Sequence, residues 1–482
     1  MTLSDLLKNV EIKAAQGNID IKVSGIAFDS QKVKPGDVFV CISGFKTDGH
    51  MFAEAALENG AVAIVAEKPV EGTAATVALV ENTRFALANM AAEYFGHPYR
   101  KFKLIGITGT NGKTTTTYLV KTILESMGKK VGLIGTNQNM IGDEIIPSHH
   151  TTPDSLELMQ LFDRMANENA DFVVMEVSSH SLALDRVAAC RFDIGAFTNV
   201  TQDHLDFHKT MESYIDAKAQ LFDMCEVGVL NQDDAAFPQM SKKSSCEIIK
   251  YSTQKDDGLF AKNIVYKADG VEFDIVYEGK AQHIELSIPG EFSVYNALTA
   301  AGCCLAAGIT LEEIANGLKS AAGVKGRIEV VKTNTDYTVI IDYAHTPDGL
   351  VNILKTIRGF AKGRIITLFG CGGDRDKTKR PKMGKIAGEL SDFCIVTSDN
   401  PRSEEPLDII EDVLVGVRET DCEYKVIENR FEAIEFAIDN ANTDDIILLA
   451  GKGHELYQIL KDRTIVFDER EIVLKLIDSS EG

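Results

Sequence analysis

Gly106-Ile107-Thr108-Gly109-Thr110-Asn111-Gly112-Lys113-Thr114-Thr115 follows an apolar run that begins at Leu104 and opens an amphipathic helix. Leu119, Val120, Ile123, Leu124 and Met127 fall on one face of that helix, and Gly128 is its expected stop. A glycine-rich turn between an apolar strand and a helix is the architecture of a phosphate-binding loop. Its glycines let backbone N–H groups close around phosphate oxygens, and the helix N-terminus adds positive potential. Lys113 can then reach the β- and γ-phosphates, and Thr114 can hold Mg²⁺. The spacing departs from the usual Walker pattern, with glycines at 106 and 109 and Ile107 five positions before Gly112. A ligand-free Gly/Thr turn is the alternative, and the Lys-Thr pair at the helix start argues against it. A nucleoside triphosphate is the expected ligand, contacted by Gly109, Thr110, Asn111, Gly112, Lys113, Thr114 and Thr115.

On either side of this loop the chain alternates apolar runs with helical patterns. Leu104–Ile107, Val131–Ile134, Phe172–Met175 and Ile194–Phe197 read as strands of a parallel, doubly wound sheet. Ligands of such sheets collect beyond the carboxyl ends of the strands. Glu176-Val177-Ser178-Ser179-His180 and the stretch from Asn199 to His208 lie there, so three strand ends are expected to share one cleft. Upstream, Val38-Phe39-Val40 and Ala61–Val65 read as strands and Phe85–Tyr94 as a helix, until His97-Pro98-Tyr99-Arg100 breaks the pattern. Downstream of Gly326-Arg327 a second α/β series begins, with strands at Thr338–Ile341, Ile365–Phe369, Phe393–Val396 and Ile446–Leu449. Each runs into a polar or glycine-rich turn. The expected fold is therefore α/β in three domains: residues 1–98, a central parallel-sheet domain at 99–327, and a Rossmann-like domain at 328–482.

Bulk properties agree with a globular protein of about three domains: 482 residues, 44% apolar and 25% charged. The formal charge of -22 speaks against a nucleic-acid backbone as partner. Nine cysteines without repeated spacing read as reduced thiols. With neither a signal-peptide-like start nor an apolar run of membrane-spanning length, the expectation is a cytoplasmic protein without a membrane partner.

Glu176 and His204 are candidate Mg²⁺ ligands beside Thr114, although histidine is an uncommon ligand for so hard a cation. Equally, Asp203, His204, Asp206 and His208 could form a hydrogen-bonded loop or a helix cap. His204 and His208 could bind zinc if helical, but no third ligand is evident. Lys218 sits in a helical pattern where a lysine ordinarily snorkels to the surface. In the last domain Arg375, Lys377, Lys379, Arg380, Lys382 and Arg402 concentrate in loops of an acidic chain. Because guanidinium forks hold carboxylates by paired bonds, Arg375 and Arg402 point to a carboxylated substrate.

Thr108–Thr114, Glu176–His180, Asn199–His208, Tyr295-Asn296-Ala297, Gly326-Arg327 and Asp342-Tyr343-Ala344-His345 together resemble the Mur ligases of peptidoglycan synthesis, from about residue 24 to 460. Asp399-Asn400-Pro401-Arg402 resembles the motif of the meso-diaminopimelate-adding, MurE type. That resemblance implies an ADP-forming ligase acting on UDP-N-acetylmuramoyl-L-alanyl-D-glutamate, ATP and meso-diaminopimelate, with Mg²⁺. It implies nucleotide contacts from Asn296, Arg327 and Asp342, and a carbamylated, metal-binding Lys218. Ser30 would contact the UDP-sugar, and Thr151, Thr152, Ser178 and Arg186 the rest of that substrate. Arg375, Asp399, Asn400, Pro401, Arg402, Gly451 and Glu455 would form the amino-acid pocket, Glu455 receiving an ammonium. Catalysis would rest on Lys113, His204 and Lys218, with no protein nucleophile, in a monomer whose domains close during turnover. Gln31 and Leu184 depart from the family pattern near the sugar nucleotide. Lysine addition, a P-loop ATPase regulating a partner, and an idle nucleotide-binding scaffold are the alternatives.

Overall fold

The computed structural model describes residues 1–44, 47–148, 150–267, 269–321 and 323–480; among these, the side chains of Asp206, Ser479 and Ser480 lie outside the described set. The chain forms two compact units, one comprising Met1–Ser252, Asp257–Leu259 and Thr299–Thr310, the other Thr253–Asp256, Phe260–Leu298 and Leu311–Gly482.

The first unit holds two sheets. Near the amino terminus, strands Gly25–Ala27, Asp37–Val40, Ala63–Ala66 and Thr76–Val80 pair in parallel, and Ile12–Gln16 adds an antiparallel edge. The helix Thr83–Tyr94 packs Ala86, Leu87 and Met90 into the core beneath them. Its start is capped by Asn82, whose side chain accepts from the Arg84 and Phe85 N–H groups.

The larger sheet runs Glu247–Ser252, Cys225–Asn231, Phe192–Phe197, Lys103–Thr108, Phe172–Glu176 and Val131–Ile134, all parallel, before Asn139–Ile141 and Glu144–Ile146 continue it antiparallel. The four expected strands are present, extended by one or two residues at three of them. Apart from the exposed Lys103 and the partly exposed Asp193 they are buried, as near-continuous Val/Ile/Leu runs are when helices cover both faces. Lys103–Thr108 is central in this sheet, so the glycine loop leaves it where the strand ends gather.

The second unit contains an antiparallel meander, Leu259–Lys267, Gly270–Tyr277 and Lys280–Leu286. Its main sheet has the order Glu329–Val331, Thr338–Asp342, Ile446–Ala450, Ile365–Phe369, Phe393–Val396, Glu423–Val426; the first strand is antiparallel and the rest are parallel. Helices Pro347–Arg358, Lys379–Leu390 and Pro406–Val417 cover one face, and Arg430–Asp439 with Glu469–Ser480 cover the other. This is the doubly wound arrangement expected from the sequence. Among the described residues no helix is long and apolar enough to cross a membrane.

Candidate functional site

In the first unit, the strand Lys103–Thr108 ends in the glycine loop, and the helix Lys113–Ser126 begins directly after Gly112, whose φ of 84° is the left-handed value that favours glycine. At Gly109 a Cβ would collide with the Thr198 hydroxyl, so the loop closes on the neighbouring strand end only because that position is bare. Asn199 secures the closure: its side-chain oxygen accepts from the Asn111 N–H at 3.0 Å and its carbonyl from the Thr110 N–H at 2.8 Å.

Two lysines meet at this loop. Lys113 Nζ donates to the Gly109 and Thr110 carbonyls, both at 2.9 Å, and Lys218 Nζ donates to the same Gly109 carbonyl at 2.9 Å. Lys218 does not snorkel to the surface. It is 1% exposed and lies 4.5 Å from the centre of the Tyr214 ring. Burial, followed by repulsion from Lys113, holds its amine well below the ordinary lysine range. A neutral amine is nucleophilic, so this environment favours reaction with an electrophile such as carbon dioxide.

Thr114 Oγ1 donates to Glu176 Oε1 at 3.0 Å. Glu176, 1% exposed at the end of its strand, also accepts from Thr136 N at 2.8 Å and, through Oε2, from Thr136 Oγ1 at 3.0 Å. Thr136 Oγ1 lies 3.0 Å from Thr151 Oγ1, while Thr152 Oγ1 donates to the Glu176 carbonyl and Arg186 donates to the Thr152 carbonyl at 2.8 Å. Ser178 N donates to Thr152 Oγ1. Thr151, Thr152, Ser178 and Arg186 are thus linked to the Thr114–Glu176 pair, whereas Ser30 opens a short 3-10 turn between the amino-terminal strands Gly25–Ala27 and Asp37–Val40. A hydroxyl and a carboxylate at the foot of a phosphate loop suit Mg²⁺, which takes hard oxygen ligands and completes its shell with phosphate and water.

His204 is half-exposed, has a φ of 53°, and packs 4.8 Å from the His180 ring with Asp203 3.5 Å away. The short helix Leu205–His208 starts after it, so His204 and His208 do not form a zinc pair. His208 instead engages the Ser179 hydroxyl at 2.9 Å. Among the described residues no three His, Cys, Asp or Glu side chains gather as a metal cluster.

The second unit has its own polar site. Asp342 accepts from the Ile328 and Ala344 N–H groups, both at 2.8 Å, and burial raises its carboxyl above the usual range. Arg327 stands over the Tyr343 ring at 5.5 Å. Asn296 is buried on the helix Glu291–Ala306. Beyond the strand Phe393–Val396, Asn400 Nδ2 donates to Glu455 Oε2 at 2.8 Å and its oxygen accepts from Ile459 N at 2.9 Å. Lys452, 0% exposed, donates to Asp399 Oδ1, Asn400 Oδ1 and Glu455 Oε2 at 3.4, 3.2 and 3.3 Å. Gly451, with φ 110°, passes against the Asp399 carboxylate. Arg402 has a φ of 53°, a conformation costly for a non-glycine residue, and donates to the Gly373 carbonyl at 2.8 Å. Pro401 packs its carbonyl against Gly373, and Arg375 is exposed on the facing loop.

Two readings of this region change. The helix Lys379–Leu390 begins earlier than a basic loop would allow, and Arg380 is 0% exposed, bonded to Glu404 at 2.8 Å and Asp412 at 2.9 Å. It ties the loops of Gly372 and Glu404 to the helix Pro406–Val417 and is enclosed by the fold. Lys377 is similarly paired with Glu404 at 3.0 Å. Sequence reasoning also passed over Thr136, Tyr214 and Lys452. Thr136 follows a strand end and was open to the same rule that found Glu176. Lys452 had no such signal, because a lysine between two glycines reads as surface.

A glycine loop with an adjoining threonine–glutamate pair in one unit, and a cluster of lysine, arginine and carboxylate side chains at the strand ends of another, fit a class of nucleotide-dependent ligating enzymes. Family models match three stretches: "Mur ligase family, catalytic domain" at residues 22–95, "Mur ligase middle domain" at 107–304, and "Mur ligase, glutamate ligase domain" at 326–453. The chain belongs to the Mur ligase family. It is 51% identical to the UDP-N-acetylmuramoyl-L-alanyl-D-glutamate--2,6-diaminopimelate ligase of Caldanaerobacter subterraneus subsp. tengcongensis, over the whole of both chains. To the enzyme of the same name from Clostridium botulinum it is 50% identical, over 99% of each. A solved structure of a ligase with that name superimposes with a TM-score of 0.76 at 32% identity, covering 100% of this chain and 99% of the other. The MurF ligase of Thermotoga maritima, solved with ADP, shares the fold at a TM-score of 0.61 and 19% identity, over 95% of this chain and 98% of that one.

Proposed function

We propose that the protein joins meso-diaminopimelate to the D-glutamyl residue of UDP-N-acetylmuramoyl-L-alanyl-D-glutamate, with ATP converted to ADP and phosphate, in the synthesis of peptidoglycan. The γ-carboxylate of D-glutamate would take the terminal phosphoryl group of ATP as an acyl phosphate. The diaminopimelate amine would attack its carbonyl carbon, and phosphate would leave the tetrahedral intermediate. The carrying observation is the convergence of Lys113, Lys218 and the Thr114–Glu176 pair on the glycine loop, in a chain that aligns end to end with ligases of this name.

Gly109–Thr115 are assigned to the ATP phosphates, and Asn296, Arg327 and Asp342 to the rest of the nucleotide. Lys113 would stabilise charge on the transferred phosphoryl group, where most of the catalysis in such transfers arises. Thr114 and Glu176 would hold Mg²⁺, with His204 and a carbamylated Lys218 as the further ligands; the ion would supply charge neutralisation at the phosphates. Thr151, Thr152, Ser178, Arg186 and, across the amino-terminal sheet, Ser30 are assigned to the UDP-sugar peptide. Asp399, Asn400, Arg402, Gly451, Glu455 and the exposed Arg375 are assigned to diaminopimelate, with Pro401 stiffening the loop. Arginine at position 402 favours a substrate with a second carboxylate and would repel the ammonium end of lysine.

Domain limits at 98/99 and 327/328, a cytoplasmic location and a monomeric state complete the reading. The test is phosphate release from ATP. It should need the muramyl dipeptide and diaminopimelate together and fall away when lysine replaces diaminopimelate. Hydrolysis indifferent to both substrates would mark a simple ATPase instead.

A further inference from the structure

Two cysteines in the carboxyl-terminal sheet lie side by side without being bonded. Cys394 is the second residue of the strand Phe393–Val396 and is 0% exposed. Cys422 is half-buried and immediately precedes the parallel neighbour strand Glu423–Val426, in which Tyr424 is the residue opposite Cys394. Their sulfurs are 3.7 Å apart and share a hydrogen bond. The Cys422 sulfur also lies 3.6 Å from the Ser391 carbonyl. A surface cavity of about 520 Å³ opens on Cys422, and its wall carries Glu389, Asp392, Glu419, Asp421 and Glu423. Two of these carboxylates are already paired, Asp392 with Arg358 and Glu419 with Lys385, which leaves the rim acidic.

We propose that Cys394 and Cys422 form a thiol–disulfide modification site, reached through this cavity by small neutral or cationic disulfides and closed to anionic ones. Bonded sulfurs stand about 2.05 Å apart, so the pair must close by about 1.6 Å. Cys422 lies outside the strand ladder and can supply that movement. The reaction proceeds by exchange. The Cys422 sulfur, having lost its proton, attacks one sulfur of the small disulfide; the disulfide bond breaks and the first small thiolate leaves and takes up a proton. Cys394 then loses its proton and attacks the Cys422 sulfur, expelling the second small thiol. Two protein thiols are oxidised and one small disulfide is reduced to two thiols. The partition of roles follows from the environment: Cys422 lines the cavity and its thiol is held below the usual range by the hydrogen bond it shares with Cys394, while that same bond and burial push Cys394 up. Buried Cys303 and Cys304, with no such exposed member, are the comparison.

The experiment treats the full-length protein with cystamine or with oxidised glutathione at equal concentration, followed by alkylation, proteolysis and mass spectrometry. The expected product of cystamine treatment is a cross-linked peptide pair containing Cys394 and Cys422, two hydrogens lighter than the reduced pair and reversed by dithiothreitol. Its rate should exceed that with oxidised glutathione by at least about tenfold, and the difference should shrink in high salt as the rim is screened. Cys422→Ser should abolish the cross-link while leaving Cys394 unmodified. Cys394→Ser should stop at a mixed disulfide on Cys422. Complete alkylation of both cysteines after cystamine, or equal rates with the two disulfides at low salt, would overturn the proposal.

Discussion

Replacing Lys452 by Met removes a cation that the fold encloses completely, and the consequence can be worked from its three contacts. Lys452 Nζ lies 3.4 Å from Asp399 and 3.3 Å from Glu455, whose side chains are 8% and 15% exposed. At an effective dielectric of about 20 each ion pair is worth on the order of 5 kcal/mol before desolvation is subtracted. Breaking a buried pair by deleting one partner costs about 3–5 kcal/mol, because a charge is left uncompensated. Here both carboxylates keep some water, and Glu455 retains the Asn400 amide at 2.8 Å, which places the loss near the lower figure, about 3 kcal/mol. For a unit of this size that is a fall of about 6–12 °C in the melting transition of the carboxyl-terminal unit. If Glu455 binds the substrate ammonium, its displacement loses a charge-assisted hydrogen bond of about 1.5–3 kcal/mol, so KM for diaminopimelate should rise about 10- to 100-fold. KM for ATP should not change. The assay is phosphate release at varied diaminopimelate and ATP, beside calorimetry of the same samples. A Lys452→Met protein with wild-type melting and wild-type KM for diaminopimelate would refute the reasoning, as would an equal rise in both KM values.

Further outcomes follow from other contacts. Arg402→Lys keeps the charge but loses the fork, so kcat/KM for diaminopimelate should fall about 10- to 100-fold; equal activity of the two proteins in a diaminopimelate titration would remove Arg402 from recognition. Lys113→Met should abolish substrate-dependent phosphate release while the melting temperature stays within a few degrees, because the Gly109 and Thr110 carbonyls that Lys113 engages belong to its own loop; retained turnover would exclude it from phosphoryl transfer. Glu404 is held down to about 2 by Arg380, the Asp374 N–H and Lys377. A carboxylate with a lowered folded pKa contributes stability above its unfolded value of about 4.3 and loses it as the pH falls toward 2. Glu404→Gln should therefore flatten the acid side of the stability curve between those values, and an unchanged slope in acid-induced unfolding would count against the Arg380 link.

The strands with continuous apolar runs and the glycine loop were legible because their signals are local, whereas Cys225–Asn231, Glu247–Ser252 and the antiparallel meander were not read from the sequence. A run such as Ile365–Phe369 or Val131–Ile134 reads as buried strand from its apolar, β-branched content, and both appear at the expected limits. The glycine, lysine and threonine of the loop sit at fixed offsets from a strand end and a helix start, so backbone geometry follows from order along the chain. The strand-end rule likewise located Glu176, Asp342 and Asp399 before any contact was known.

Burial of charge was decided by tertiary structure alone. Lys218, Arg380 and Lys452 all look like surface cations in their own neighbourhoods, yet the fold seals each of them against partners far away in sequence: the Gly109 carbonyl, Glu404 with Asp412, and Asp399 with Asn400. Periodicity reports which face of an element is apolar, but whether a polar side chain is enclosed depends on which distant carbonyl or carboxylate arrives opposite it. An enclosed charge is tolerated only with such partners. Local pattern in the sequence determined the apolar strands and the glycine loop between strand and helix; the meeting of strand ends decided which lysines and arginines the fold encloses and which stay exposed.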